Sequence, residues 1–237
     1  MELKNRTIKN FLNAAPVVLI MSTTKSWKTT TKKCWHYFWH EDTIGSWLLN
    51  IVVAFLLIRF LVYPVLGAVL GTNFPIVAVV SESMEHSLFN DAICGKKLTD
   101  YKESFDNYWD SCGNWYQQHN ITKKQFSSFS FRDGFNKGDV IILWRANHLK
   151  VGDVLVFQAS RAQPIIHRIV VIKEENGKVY YQTKGDHNSD SIASALGETR
   201  IDPSRIEGKG VIRIPYLGWL KILFVEALKP FGVNIQR

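Results

Sequence analysis

The longest apolar run constrains the fold of this chain more than any other feature of its sequence. It reads "WLLNIVVAFLLIRFLVYPVLGAVL" and extends over 24 residues, from Trp47 to Leu70. A helix of this length measures about 36 Å at about 1.5 Å per residue, which is enough to cross the hydrocarbon core of a bilayer. We therefore predict a transmembrane helix over residues 46–71.

Two residues inside the run disturb it. Arg59 lies near the middle, where a charged side chain costs about 2.5–3.5 kcal/mol on insertion scales. Two explanations are open: the side chain extends to the interface, or an acidic group or a lipid headgroup pairs with it. Pro64 has no backbone N–H to donate, and we expect a kink there.

Charge is distributed unevenly around the run. The chain has a net charge of +8, and basic residues outnumber acidic ones before residue 45. The positive-inside rule then predicts a basic cytoplasmic segment over residues 1–45 and an extracytoplasmic location for the chain after residue 71. The membrane would be the cell membrane, or the endoplasmic reticulum membrane in a eukaryote. We expect no nucleic acid partner, because no nucleic-acid-binding motif accompanies the charge.

After the run the pattern becomes that of short strands, and we predict a mainly β domain over residues 72–214. The strand-like stretches are "FPIVAVV", "GDVIILW", "VGDVLVFQ", "PIIHRIVVIKEENGKVYYQTKGD" and "EGKGVIRIPYLG". They are rich in β-branched residues and are separated by Gly-Asp, Asn-Gly and Pro. Within the fourth stretch, Asn176-Gly177 predicts the turn of a β-hairpin.

Two segments depart from this pattern. Residues 89–136 are polar, contain Cys94 and Cys112, and lack a strand signal, so we predict an inserted subdomain there. The two cysteines would pair in an oxidising compartment, or they are two unrelated thiols. Residues 215–237 predict a C-terminal amphipathic helix on the membrane surface, with a second span as the less favoured alternative.

Several residues could carry out nucleophilic chemistry, which needs a nucleophile, a base, an orienting acid and oxyanion donors. Ser81 and Ser83 lie in "VVSESMEHS", directly after the first predicted strand. His167 interrupts the apolar strand "PIIHRIVVI", either as a structural histidine or as a base. Asp186 and Asp190 lie in "TKGDHNSDS", where they would cap a turn or support an imidazole.

These blocks follow one another in the order seen in type I signal peptidases, and the chain resembles that family over most of residues 75–219. The similarity is closest to the archaeal and endoplasmic reticulum branch. In the bacterial branch a lysine base stands where this chain has His167. The resemblance implies a signal-peptidase-like β domain anchored by an N-terminal transmembrane helix.

The resemblance also implies roles for the matched residues. Ser83 would be the nucleophile and His167 its general base, while Ser81 and the backbone N–H of Ser83 would form the oxyanion hole. No cofactor and no metal are implied. His86 stands where many relatives have proline, and it is given no role.

Three residues are candidates for the acid of the triad. Asp190 resembles the later acid of the family, although it follows Asp186 by four positions where five or six are usual. We favour Asp190 over Asp186, and Glu198 is a third candidate.

The expected function is that of a membrane-bound serine endopeptidase that removes signal peptides at the extracytoplasmic membrane surface. Its partners would be the signal peptides of preproteins and the lipid bilayer, and the protein-export channel is a further partner that this role allows. The alternative is a catalytically silent, membrane-tethered domain that binds peptides or assists secretion.

Overall fold

A computed structural model describes residues 31–32, 35–36, 39–41, 43–160 and 163–228. Most of the basic segment predicted over residues 1–45, and the last nine residues of the helix predicted over 215–237, lie outside the described residues. The chain divides into two compact units, Met1–Pro64 and Val65–Arg237.

The predicted transmembrane segment is helical. It consists of α1 (Ile44–Leu57), a π-helical turn (Ile58–Val62) and α2 (Tyr63–Leu70). Together they form a helix of 27 residues that contains an 18-residue window with a mean hydropathy of 2.4, so it is long and apolar enough to cross a membrane. Pro64 follows the π-helical turn almost directly. Since proline cannot donate the next bond of an α-helix, the wider turn accommodates it.

The unit after the helix is built on a curled six-stranded antiparallel sheet, which confirms the prediction of a mainly β domain. Its strands lie in the order β1-β4-β8-β5-β6-β7. Their bounds are β1 Ile76–Ala78, β4 Val140–Trp144, β5 Val154–Phe157, β6 Ile165–Glu175, β7 Lys178–Lys184 and β8 Ile206–Ile214. The predicted hairpin joins β6 to β7: Asn176 and Gly177 have φ values of 53° and 73°, as a type I′ turn requires.

Apolar side chains cover both faces of the sheet. Val154 and Val156 of β5 belong to one buried cluster, whereas Leu155 and Phe157 belong to another. Successive side chains of a strand point to opposite faces, so β5 is apolar throughout because both of its faces are covered.

The segment between β1 and β4 forms a small subdomain with its own core. It contains the short hairpin β2 (Ala92–Ile93) and β3 (Lys96–Lys97), followed by α3 (Phe105–Gln118) and α4 (Lys123–Ser127). A disulfide joins Cys94 to Cys112, eighteen positions apart. Aromatic side chains of α3 and α4 pack together and contact Val170 of β6, so the subdomain rests on one face of the sheet.

Short helices lie between β7 and β8 and after β8. Between β7 and β8 the chain forms α5 (Ala193–Leu196) and a 3-10 helix (Pro203–Arg205). After β8 it forms α6 (Trp219–Leu228), which lies within the predicted C-terminal helix. Ile222 of α6 is buried, whereas Leu220, Leu223 and Phe224 are exposed.

Candidate active site

The loop after β1 presents Ser83 at the surface while the next residue anchors the loop. Met84 is completely buried, and its carbonyl accepts a hydrogen bond from the backbone N–H of Phe135 at 3.1 Å. The carbonyl of Ser83 accepts from the backbone N–H of His187 at 2.9 Å. The serine backbone is therefore held from two sides, and the residue as a whole is half-exposed.

His167 lies next to this hydroxyl. It belongs to β6, between Ile166 and Arg168, and only 3% of its surface is exposed. Its Nε2 atom is 2.9 Å from Ser83 Oγ, across 84 positions of sequence. The structure thus brings together the serine and the histidine that the sequence singled out.

The carboxylate on the other side of the imidazole belongs to Glu198. His167 Nδ1 pairs with Glu198 Oε1. The carboxylate is completely buried and is fixed by two further donors, Thr183 Oγ1 at 3.1 Å and the backbone N–H of Ile192 at 2.7 Å. A residue considered only as a third candidate therefore orients the imidazole.

Asp190, the acid favoured from the sequence, lies elsewhere. Its Oδ1 accepts hydrogen bonds from Trp115 Nε1 at 3.0 Å and from the backbone N–H of Ser191 at 2.7 Å. The structure thus places Glu198, and not Asp190, in contact with His167. The physical reason is that the chain turns back through α5 and pairs with β7, which brings a more distant acid to the imidazole.

Asp186 is also directed away from His167. Its carboxylate binds Arg168, with Nε at 2.9 Å and Nη2 at 2.6 Å. It also contacts His86 Nε2 at 3.1 Å and accepts from Tyr116 OH at 3.0 Å. Because Arg168 follows His167 on a strand, the two side chains point to opposite faces of the sheet, and Asp186 serves the second face.

Positive neighbours keep the buried carboxyl group of Asp186 ionised. Burial alone would raise the pKa of Asp186, but Arg168 and His86 hold it well below its usual range. The guanidinium of Arg168 also donates to the carbonyls of Ser130, Gly152 and Phe131 at 2.8–3.0 Å. Arg168 and Asp186 thus join the sheet to the inserted subdomain through a satisfied buried ion pair.

His86, for which no role was predicted, belongs to this network. Its ring stacks on Tyr108 of α3, with ring centres 3.5 Å apart and planes 3° from parallel. Its carbonyl accepts from Tyr101 OH at 2.6 Å. The one available signal was the departure from the family's proline, which marks a changed contact without identifying the partner, 100 positions away.

Two small residues complete the surroundings of the serine. Ser81 Oγ lies 3.1 Å from Ser83 Oγ, so the second serine of the motif is at the predicted location beside the first. Gly185 passes close to both reacting groups. A β-carbon there would lie 2.8 Å from His167 Nε2 and 2.7 Å from the Ser83 carbonyl oxygen. Only glycine therefore leaves room for the pair.

A cavity of about 710 Å³ opens beside these groups. Its lining consists of Val77–Val80, Ser81, Ser83, Gln163–His167, Asn188, Ile192 and Leu196. It therefore extends between the end of β1 and the start of β6, with the hydroxyl of Ser83 in its wall. Among the residues that the structure describes, no group of three His, Cys, Asp or Glu side chains is arranged to hold a metal ion.

A hydroxyl, an imidazole and a buried carboxylate in this sequence of contacts form the arrangement of a serine hydrolase. No family model matches the chain. The catalytic subunits of fungal signal peptidase complexes are similar to it. SEC11 of Yarrowia lipolytica is 33% identical over 104 residues, which cover 42% of this chain and 60% of the relative.

Two further relatives carry the same name. The subunit of Sclerotinia sclerotiorum is 35% identical over 105 residues, which cover 42% of this chain and 61% of that protein. The subunit of Lachancea thermotolerans is 34% identical over 106 residues, covering 42% and 63%. The chain spans about three fifths of the length of the curated relatives that it matches. These relatives confirm the predicted resemblance to the endoplasmic reticulum branch of type I signal peptidases.

Proposed function

We propose that this chain is a membrane-anchored serine endopeptidase that cleaves signal peptides from preproteins at the extracytoplasmic surface of the endoplasmic reticulum membrane. One observation carries the proposal: Ser83, His167 and Glu198 are in contact in the order that activates a serine. The similarity to signal peptidase catalytic subunits supports the choice of substrate.

The proposed mechanism follows from these contacts. Ser83 Oγ attacks the scissile carbonyl while His167 Nε2 accepts its proton. The same imidazole then gives the proton to the leaving amine, and a water molecule hydrolyses the acyl-enzyme by the reverse sequence. Glu198 holds Nδ1–H of His167 and stabilises the imidazolium that forms in each step.

The developing oxyanion needs donors that are already in position. We assign this role to the hydroxyl of Ser81 and to the backbone N–H of Ser83. The hydroxyl of Ser81 lies 3.1 Å from the nucleophile, close enough to reach an oxygen bonded to the attacked carbon. The loop that carries both groups is fixed by its backbone hydrogen bonds, which limits the reorganisation needed during the reaction.

The substrate would bind in extended form along β1. This strand forms one edge of the six-stranded sheet, and such an edge accepts an added peptide strand. Alternate side chains of the peptide then point into the cavity beside Ser83. In the family that this chain resembles, the positions −1 and −3 before the scissile bond carry small side chains, and we propose the same preference here.

A membrane location is supported by two apolar surfaces. The helix Ile44–Leu70 is long enough to span a bilayer. In the second unit, Ile76 and Ile212 each pair with Ile142 and are exposed on one face of the sheet. We propose that this face and α6 rest on the membrane, with the segment before the helix in the cytoplasm. The lipid bilayer and the protein-export channel are the proposed partners.

The test is cleavage of a radiolabelled preprotein by the purified chain in detergent and in liposomes. We expect Ser83→Ala and His167→Ala to lower kcat by about 10⁴- to 10⁶-fold. Ser87→Ala is the matched control, because this neighbouring hydroxyl donates to Glu85 at 3.1 Å and is outside the proposed machinery.

Two results would reject the proposal. Cleavage that persists in Ser83→Ala would exclude a serine mechanism at this site. Signal peptide binding by the wild type without any cleavage would favour the alternative, a catalytically silent peptide-binding domain.

A further inference from the structure

Two Asn-x-Thr tripeptides occur in the chain, on opposite sides of the predicted transmembrane helix. They are Asn5-Arg6-Thr7 and Asn120-Ile121-Thr122. Such a tripeptide, when its middle residue is not proline, is the acceptor sequence for an N-linked oligosaccharide. Only an acceptor on the extracytoplasmic side meets the transferring enzyme, so the orientation proposed above makes Asn120 available and Asn5 unavailable.

The structure holds Asn120 at the surface of the inserted subdomain. It lies in the short turn between the end of α3 at Gln118 and the start of α4 at Lys123. The middle residue, Ile121, is buried and anchors the turn, whereas Asn120 and Thr122 are exposed. The acceptor amide is therefore presented to solvent by a turn that is fixed from below.

Local structure alone does not require this pair of residues. Asn120 has a φ of 61°, a left-handed conformation that glycine adopts more readily than asparagine. Thr122 caps α4 by accepting from the backbone N–H of Gln125 at 3.2 Å, a task that serine, aspartate or asparagine performs equally well. Among the combinations that satisfy both demands, Asn with Thr or Ser is the one that creates an acceptor.

A surface depression of about 560 Å³ begins at the same asparagine. Its polar lining consists of Gln118, His119, Asn120, Gln125, Lys173 and Gln182. Amide, imidazole and ammonium groups provide donors and acceptors that match the hydroxyl and acetamide groups of a sugar. The depression shares no lining residue with the cavity beside Ser83.

We propose that Asn120 carries an N-linked oligosaccharide whose first sugar lies against this depression. The inference rests on the orientation given under the proposed function, and it is independent of the peptidase activity. The donor is an oligosaccharide attached to a polyprenyl diphosphate. Asn120 Nδ2 bonds to the anomeric carbon and loses one proton to a base of the transferring enzyme. The bond from that carbon to the phosphate oxygen breaks, and the lipid diphosphate leaves with the electron pair.

The experiment is cell-free translation of the full chain with eukaryotic microsomes, followed by endoglycosidase digestion and gel electrophoresis. We expect the wild type to show one discrete mobility step that the enzyme removes. Asn120→Gly keeps the left-handed turn and should abolish the step. Thr122→Asp keeps the helix cap and should abolish it too, whereas Thr122→Ser should retain it. Asn5→Gln should leave the step unchanged.

A second reporter separates failure of this inference from failure of the proposed orientation. Lys178→Thr converts the exposed turn after β6 into the acceptor Asn176-Gly177-Thr. A step in Lys178→Thr without one in the wild type would overturn the assignment of Asn120 and leave the orientation intact. Absence of a step in both, or a step that Asn5→Gln removes, would overturn the assignment together with the orientation.

Preprotein cleavage by the same variants is the last measurement. Asn120→Gly should cleave a preprotein with the same kcat as the wild type, since the depression and the cavity beside Ser83 share no lining residue. Glycosylation at Asn120 in a chain whose cleavage persists in Ser83→Ala would support this inference while rejecting the serine mechanism. Loss of cleavage in Asn120→Gly, with no step in the wild type, would give Asn120 a structural role and overturn the assignment.

Discussion

Adjacent residues of strand β6, His167 and Arg168, each pair with a carboxylate, on opposite faces of the sheet. On one face His167 lies between Glu198 and Ser83, beside an open cavity. On the other face Arg168 binds Asp186 in a completely buried network beneath the inserted subdomain. Both acids are buried, and both pairs connect β6 to the chain that follows β7.

The difference lies in which base can release its proton. Arginine remains protonated at every physiological pH, so the Arg168–Asp186 pair is a fixed connection that holds the loop carrying Gly185. The imidazole of His167 can accept a proton and give it up again, and its Nε2 atom reaches a nucleophile. The same strand therefore supplies stability on one side and chemistry on the other. Substitutions on each side should separate these two contributions.

Of the changes compared below, removing the charge of Glu198 should have the largest effect, and it should fall on activity. Glu198→Gln keeps the size of the side chain but cannot stabilise the imidazolium of His167. We expect kcat for preprotein cleavage to fall by about 10³- to 10⁴-fold, with only a small change in the melting temperature. Glu198→Asp, which keeps the charge on a shorter stem, should recover part of the activity. Wild-type kcat in Glu198→Gln would contradict the assignment.

Breaking the pair on the opposite face should act on stability instead. Arg168→Met leaves the buried carboxylate of Asp186 without its main counter-charge, and we expect a loss of about 3–5 kcal/mol in the free energy of unfolding. Denaturant unfolding in detergent, followed by circular dichroism, measures it. The double variant Arg168→Met, Asp186→Leu should be less destabilised than the single one, because it buries no unpaired charge. Equal stability of the single variant and the wild type would contradict the proposed role.

The disulfide of the inserted subdomain, like the Arg168–Asp186 pair, should contribute to stability and not to catalysis. Cys94→Ser with Cys112→Ser opens a loop of eighteen positions, and the chain-entropy relation gives a loss of about 3 kcal/mol. The folded fraction should keep its kcat to within a few fold, because neither cysteine lines the cavity beside Ser83. Cys34→Ser is the matched control. A complete loss of activity in a stably folded double variant would show that the subdomain takes part in catalysis.

The protonation of Lys184 should make the stability of the fold depend on pH. It is buried at the end of β7, where desolvation lowers the pKa of Lys184 to about 8 although Asp186 and Glu198 attract its charge. Between pH 8 and 10 the unfolded chain therefore binds more protons than the folded one, and stability should rise with pH by about 1 kcal/mol per unit. Burial raises the pKa of Tyr108 and Tyr116 well above the usual value, so stability should fall again above pH 10.

Substitution tests this assignment without relying on the absolute stability. Lys184→Met should flatten the rise between pH 8 and 10, whatever its effect at neutral pH. Lys178→Met, at the exposed start of the same strand, should leave the rise unchanged. A rise that persists in Lys184→Met would assign the pH dependence to another group.

Much of the fold could be predicted because its signals are local. Strand alternation and the Asn176-Gly177 turn are readable in a few adjacent residues, and the apolar helix in a window of about twenty. Ser83 and His167 could be predicted because each stands out within its own strand or loop and because their order matches a known family. Their contact spans 84 positions, and the family resemblance supplied it.

The acid could not be found in this way. Glu198 reaches His167 because Gly197 adopts a left-handed conformation after α5 and the chain then pairs with Thr183 of β7. Resemblance to the later acid of the family favoured Asp190, and that resemblance takes no account of this return of the chain. The contact of His86 with Asp186 likewise depends on how the inserted subdomain packs, which no local pattern encodes.

The smallest expected effect tests the prediction that Asp190 is the acid of the triad. Asp190 is exposed and its carboxylate accepts from Trp115, so Asp190→Asn should change kcat by less than about threefold. An uncharged side chain still offers an oxygen to the indole N–H, and the site keeps Glu198. The assay is the same preprotein cleavage, run beside Glu198→Gln at matched protein concentration. If Asp190→Asn instead loses activity as Glu198→Gln is expected to, both acids serve the imidazole, and the separation of the two faces of β6 is incomplete.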